Sequence, residues 1–413
     1  RQHKKGKKMN RYAKGSSPKG GARNGSESKS GGFRFMSMCS FFVVACMALR
    51  VATSPSATNQ PTNTPSLRTE KNKQSSSTSS TSDTDDDLNK KYDICMVGAG
   101  LSASVLAERY ASQLGKSVLM IEKRNHIGGN CFDYIDEDTG IRVSKYGAHL
   151  FHTQYKDVEE YITQFSTWTP YEHKVRAMVN GKYVPIPVNI ETVNTLFDLD
   201  IKNKEEMSEW LEKEQVHLKD GKEAEDSEQV ALSRVGQRLY DLIFKPYTFK
   251  QWAKYPQELG PEVLSRIPVR DDFEDRYFSD PFQALPAHGY TKVFEDMLSS
   301  SLITVKTSTD YFDIKDKLRC GKLYFTGPID AYFAYKGWPK LEYRSLDFER
   351  VVEKKKDFYQ PNFVVNYPQE ESGDYTRIVE YKHLLDQKSD DTIYFIERSK
   401  DGGEPYYPVP NKK

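Results

Sequence analysis

The chain has 413 residues, 37% hydrophobic and 29% charged, with a formal net charge of +1, which allows a large core and one catalytic unit with inserted subdomains. The charge is uneven: residues 1–34 hold eleven Lys or Arg against one Glu, a net +10, so the remainder is −9. A mildly acidic body excludes non-specific nucleic-acid binding, which needs a basic stripe on the folded domain, and any anionic ligand must be held by locally placed arginines. Of five cysteines, Cys39 and Cys46 lie near the N-terminus and Cys95, Cys131 and Cys320 are scattered; they show neither a disulfide framework nor zinc spacing. His149 and His152 lack a recognisable Cys, Asp or Glu ligand motif around them, so no metal site is expected.

In chain order, residues 1–34 are basic and rich in Gly, Ser and Lys, a composition that predicts disorder because it cannot bury enough apolar surface. Residues 35–50 contain the uncharged run FMSMCSFFVVACMAL, bounded by Arg34 and Arg50. It is short of the ~20 residues of a membrane span and reads as a signal or short anchor. Used in that way it places the protein in the secretory pathway, in an organelle or on a membrane; otherwise a cytoplasmic location is expected. Residues 51–87 form a Ser/Thr-rich linker, and the catalytic unit is expected over 88–413.

From Leu88 onward strand-like and helix-like segments alternate in the α/β manner. Ile94–Val97, Leu101–Leu114 and Val118–Ile121 make one βαβ unit, within a dinucleotide-binding part over about 88–155. Between its first strand and helix, CMVGAGLSAS sets Gly98, Gly100 and Ala103 in a G-x-G-x-x-A pattern. Those glycines let the backbone approach a pyrophosphate at the helix N-terminus, where Leu101 and Ser102 begin the helix. A plain tight turn would use glycines too, but the second strand ends in Glu122, at the right distance to bind a ribose hydroxyl. A second glycine turn, His126-Ile127-Gly128-Gly129-Asn130, follows Glu122-Lys123. NAD dehydrogenases do not need it, whereas bare N–H groups there can reach FAD phosphates, so FAD is favoured over NAD; an ordinary β-turn is the alternative.

Further on, Val175–Val188 holds two alternating runs meeting at Asn180-Gly181, a tight-hairpin dipeptide. Helical spacing over about Ile190–Val216 and Glu228–Phe244 predicts a helical insert, about 190–265. Strands are predicted at Leu302–Thr307, Leu323–Thr326, Phe363–Asn366, Thr376–Tyr381 and Thr392–Glu397. They give the remainder a sheet character.

The run EKRNHIGGN (Glu122–Asn130) followed by KYGAHLFHT (Lys145–Thr153) resembles the bacterial type of UDP-galactopyranose mutase. The likeness extends through YTFKQW (Tyr247–Trp252), RIPVR (Arg266–Arg270), YFSD (Tyr277–Asp280), FTGPIDAYF (Phe325–Phe333), LEYRSL (Leu341–Leu346), YTRIVEYKH (Tyr375–His383) and EPYYPV (Glu404–Val409). It implies an α/β fold: an FAD-binding Rossmann-like domain, a helical insert and a twisted, mainly antiparallel sheet layer. It also implies interconversion of UDP-galactopyranose and UDP-galactofuranose through an adduct of the anomeric carbon with N5 of reduced FAD, in a homodimer. The alternatives are an FAD oxidoreductase of the amine-oxidase type and an inactive UDP-sugar-binding relative.

By the same resemblance Arg266, Arg377 and His149 are the catalytic residues. The two arginines clamp the diphosphate, Arg266 from a mobile loop, and His149 lies beside the flavin ring. Tyr247, Thr248, Trp252, Tyr277 and Tyr407 line the UDP site with them. Gly98, Gly100, Leu101, Ser102, Glu122, Lys123, Gly129, Asn130, His149 and Arg344 hold the flavin. Three departures from the pattern are Ala103 for the usual glycine, His288 in place of the first glycine of a Gly-Gly-Tyr, and Asp374 where proline is usual. By the resemblance, members of the family continue for some tens of residues past EPYYPV with groups that complete the flavin site, so the expectation is either weak FAD binding by the chain as given or a truncated version of an active protein.

Overall fold

A computed structural model describes residues 87–88, 90–218 and 222–410. The leader, the apolar segment and all but the last residue of the linker lie outside these. Among the described residues no helix is long and apolar enough to cross a membrane.

The first strand, Lys91–Val97, is buried over its last four residues because neighbours flank it on both sides. Its sheet is parallel, in the order Ile303–Lys306, Val118–Ile121, Lys91–Val97, Arg319–Phe325. The helix Leu101–Leu114 packs on this sheet through Leu101, Ala103, Ala107 and Ala111, in one core with Val293, Phe294 and Met297 of the helix Tyr290–Met297. The small side chains of Ala103, Ala107 and Ala111 let the helix lie close to the strands.

The second sheet has seven strands in the order Tyr407–Pro408, Tyr343–Glu353, Thr392–Lys400, Arg377–Glu380, Val364–Asn366, Val175–Val179, Lys182–Ile186. All its pairs are antiparallel except Val364–Asn366 with Val175–Val179. Alternation along Val175–Val179 puts Val175, Ala177 and Val179 into the largest core. There they meet Val230, Val235 and Leu239 of the helix Ser227–Leu239 and Ile243 and Phe244 beyond it. The α/β class with a mainly antiparallel second sheet is the one expected.

Four local readings change. The helical stretch 190–216 is two helices, Ile190–Phe197 and Lys204–Glu214, each started by an asparagine whose side chain accepts a backbone N–H; capping outcompetes continuity there. The stretch 228–244 breaks at Gly236, with φ +75°, where a Cβ would stand 2.1 Å from the Glu214 carbonyl oxygen. A π turn, Tyr240–Phe244, then leads into the helix Lys245–Trp252. The eleven-residue strand Tyr343–Glu353 was not expected as a strand, since its buried residues, Arg344, Ser345 and Leu346, are consecutive and give no two-residue period. Lastly, Cys95 and Cys320 form a disulfide between adjacent parallel strands, 225 residues apart in sequence, while Cys131 is free and buried. The expected lack of any disulfide pattern is thus corrected: the partners are brought together by strand order, which spacing does not reveal.

Candidate active site

Two glycine turns form a cradle at the C-terminal edge of the parallel sheet. Gly98 has φ +101°, and a Cβ there would meet the Thr326 Oγ1 at 2.6 Å. Gly100 precedes the helix Leu101–Leu114, whose first turn has neither a side-chain cap nor an acidic residue. Its first N–H groups, from Leu101 and exposed Ser102 onward, are therefore without a capping side chain and suit an anion. The second turn lies directly against the first: Gly128 N–H donates to Ala99 O at 2.8 Å. A Cβ on Gly129, with φ +56°, would come within 2.9 Å of Gly100 Cα. Such backbone bareness at a helix start fits a pyrophosphate of the dinucleotide kind.

Glu122 is buried, and its two carboxylate oxygens accept the Ala99 and Arg124 N–H groups, each at 2.8 Å. It thereby fixes the first turn and retains lone pairs for a further donor. Lys123 is exposed and paired with Asp310 at 3.0 Å. Asn130 Oδ1 accepts from Arg124, whose guanidinium also donates to Glu404 at 2.7 Å and lies 4.1 Å above the Tyr146 ring. Arg124, inside the quoted EKRNHIGGN run, was not singled out by the sequence reading. Arg344 is buried, pairs with Asp401 and donates to Ser399 Oγ at 3.0 Å.

A cleft of about 1180 Å³, its open mouth included, brings together Tyr247, Thr248, Trp252, Arg266, Tyr277, Arg377 and Tyr407. These seven come from five separate stretches of chain and are all the residues expected at the nucleotide-sugar site. Tyr247, Thr248, Gln251 and Trp252 share one face of the helix Lys245–Trp252, by their i, i+1, i+4, i+5 spacing. Thr248 and Trp252 are buried, and Trp252 meets Tyr407 edge-on at 6.2 Å between ring centres. Arg266 ends the short helix Glu262–Ser265, is exposed, and donates to Val263 O at 2.9 Å. Arg377 begins the strand Arg377–Glu380 and pairs with Glu397, itself 1% exposed, at 2.5 Å. The residues lining the cleft include two arginines and, among the described residues, no Asp or Glu.

His149 does not line the cleft but lies close enough to feel the charge of Arg377. Its Nδ1 contacts Gly147 O at 2.9 Å; a carbonyl only accepts, so Nδ1 carries the proton and Nε2 keeps its lone pair when the ring is neutral. Burial, with a contribution from Arg377 and against the Gly147 hydrogen bond, brings its pKa down to about 4. The ring is neutral at pH 7.

The sequence reading missed His173, Gln251 and Asn366, which also line the cleft. Gln251 lay within the quoted YTFKQW motif, and helical spacing from Tyr247 would have placed it on the same face. His173 offered no such signal. It is buried among Tyr277, Phe278 and Phe363, and its Nδ1 has no hydrogen-bond partner among the described residues. His152 is held by Asp280 at 2.7 Å and stacks on Phe278. Asp374 pairs with Arg398 at 2.8 Å, so its negative charge is met there.

A family model described as UDP-galactopyranose mutase matches residues 242–413, and one described as an NAD(P)-binding Rossmann-like domain matches 96–165. A probable UDP-galactopyranose mutase of Klebsiella pneumoniae is 35% identical, covering 78% of this chain and 82% of that protein. A dTDP-fucopyranose mutase of Escherichia coli is 33% identical over 76% of this chain and 84% of that one. The crystal structure of a reduced UDP-galactopyranose mutase has the same fold, with TM-score 0.57 and 18% identity, over 76% of each chain. With an identity of 35% extending across most of both chains, and the family model falling on the stretch that supplies all seven cleft residues, this chain belongs to the UDP-galactopyranose mutase family of isomerases.

Proposed function

We propose that the chain interconverts UDP-galactopyranose and UDP-galactofuranose with reduced FAD in the glycine cradle. The observation that carries this is the cleft: two guanidinium groups and six Phe, Tyr or Trp rings gathered in a lining without a carboxylate. Guanidinium forks grip a diphosphate in two-pronged fashion and stay charged, and the rings offer faces to a uracil base. The bare helix start and the Gly98, Gly128 and Gly129 turns suit the FAD pyrophosphate, and Glu122 would accept from its ribose.

Reduced FAD, when bound, would supply the nucleophilic chemistry at the anomeric carbon. The residues of the chain do the rest. Arg266 and Arg377 hold the diphosphate as charge grows on it, so that the leaving group stays poised to rejoin. Glu397 orients Arg377 from behind, and buried Trp252 closes part of the cleft to water. His149, neutral and with its Nε2 lone pair free of a proton, can accept a hydrogen bond beside the reacting ring.

The relative named for dTDP-fucopyranose favours one competing substrate. An FAD oxidoreductase of the amine-oxidase type would have no use for the paired arginines. The family also implies a homodimer, which sedimentation would test. The Cys95–Cys320 disulfide supports a secretory or other oxidising compartment, where such bonds persist.

The deciding assay incubates the flavin-loaded protein with UDP-galactofuranose or dTDP-fucofuranose, with and without dithionite, and separates the products chromatographically. Conversion of UDP-galactofuranose only under reduction is expected. Preference for the dTDP sugar would move the substrate, and oxygen consumption with a non-nucleotide amine would replace the reading altogether. UDP binding without conversion by either form would make the chain an inactive relative.

A further inference from the structure

Lys250 lies on the helix Lys245–Trp252, between the residues that face the cleft, yet it does not itself line the cleft. Its ammonium donates to three backbone carbonyls on the opposite side: Gln369 O at 2.6 Å, Tyr367 O at 2.8 Å and Tyr375 O at 3.3 Å. It also sits 6.0 Å from the centre of the Tyr375 ring. Those carbonyls belong to the connection between the strands Val364–Asn366 and Arg377–Glu380. That hairpin forms the other wall of the cleft, through Phe363, Val364, Asn366, Pro368 and Arg377.

An ammonium has three donors and no acceptor, and here all three protons find carbonyl oxygens, one before the turn Glu370–Ser372, one at its edge and one after it. The hairpin connection is thereby closed around a cation that belongs to the facing helix. Burial draws the Lys250 pKa down, although Asp374, Glu370 and Glu371 act against it, so the charge is kept at the expense of hydration and must be repaid by those carbonyls. A second tie, Ser399 Oγ to Gln251 O at 2.5 Å, attaches the same helix to the next strand over.

We propose that Lys250 is a positioning residue that sets the width of the nucleotide cleft, by holding the helix of Tyr247, Thr248 and Trp252 at a fixed distance from the hairpin of Arg377. The proposal rests on the cleft being the nucleoside diphosphate site. Without the ammonium, Tyr367 O, Gln369 O and Tyr375 O each lose a donor, Gln369 O keeping only the Ser372 N–H at 3.2 Å, and the turn 367–375 can swing. The separation between the ring wall and the guanidinium then drifts, which weakens the grip on a diphosphate spanning both.

The test uses the flavin-loaded full chain and its Lys250→Met variant, which keeps the length of the stem. UDP affinity is measured by quenching of tryptophan fluorescence, together with KM, kcat, flavin content and melting temperature. A rise of about tenfold in both the UDP dissociation constant and KM is expected, with kcat within about twofold and flavin content unchanged. A variant that melts earlier but binds UDP as the parent does would show Lys250 to be purely structural and overturn the proposal. Should the methionine variant fail to fold, Lys250→Gln, which keeps two donors, replaces it; an unchanged UDP affinity in that variant overturns the proposal equally. Parent protein that binds no UDP would instead sink the nucleotide reading on which the proposal stands.

Discussion

Arg377 is 21% exposed and its partner Glu397 is 1% exposed, so deleting the guanidinium strands a buried carboxylate. Arg377→Ala is expected to cost about 3–5 kcal/mol of stability, the usual penalty for breaking a buried pair. Arg377→Lys should keep most of that stability but lose the two-pronged geometry, with UDP affinity down by about tenfold. Equal affinity in the lysine variant would show that the charge alone suffices. His173 makes a different demand. Burial foremost, then the charges of Arg377 and His152, push its pKa down to about 3, against ~6.5 in an unfolded chain. Between these values the unfolded state takes up a proton that the folded state refuses. Stability tied to His173 is therefore complete above about pH 6.5 and is lost progressively as pH falls toward 3. His149 adds to the same acid limb down to about pH 4. His173→Phe, which suits the surrounding rings and removes the orphaned Nδ1, should gain stability relative to the parent at pH 5 more than at pH 8. Urea titrations giving the same difference at both pH values would refute the assignment.

Among the elements, the contact between the two glycine turns is where a single methyl group decides binding. Gly129 combines φ +56° with a backbone neighbour 2.9 Å from where its Cβ would stand, the Gly100 Cα. Gly129→Ala must push the two turns apart, which opens the cradle that faces the helix start. Flavin content after purification should fall to a small fraction of the parent level, while the cleft on the other sheet still binds UDP. Full flavin occupancy in that variant would remove the cradle from the cofactor site. Much of this level was legible in the sequence. The glycine patterns, the βαβ unit and the Asn180-Gly181 hairpin depend on local backbone chemistry, which composition and period report faithfully. What escaped reading was decided by neighbours. Tyr343–Glu353 is a strand because Thr392–Lys400 and Tyr407–Pro408 pair with it on either side, and the break at Gly236 exists because Glu214 leaves no room for a side chain.

At the scale of the whole molecule, the seven cleft residues were found through resemblance, and nothing in their spacing across 160 positions would have grouped them. His173 lies among them in space and Lys250 behind them, but neither carries a local pattern, and the same holds for the disulfide. Cys95 is fully buried on the first strand, three residues before Gly98, and Cys320 is on the strand Arg319–Phe325, which Thr326 directly follows. Thr326 in turn donates through N–H and Oγ1 to Val97 O, at 2.9 and 2.8 Å, so the bond secures the strand that abuts the cradle. Linking positions 225 residues apart also removes much freedom from the unfolded chain. Replacing both cysteines by alanine should therefore cost about 2–5 kcal/mol of unfolding free energy, with a larger urea dependence because the unfolded chain expands further. Flavin content at low temperature should be retained, since the strand order is also held by the parallel ladder. Alkylation of the denatured parent before and after reduction, read by mass spectrometry, establishes whether the bond is formed: Cys95 and Cys320 should be protected until reductant is added. If they are alkylated without reduction, or if the double variant unfolds at the urea concentration of the parent, the disulfide contributes nothing to this fold and its support for an oxidising compartment is withdrawn.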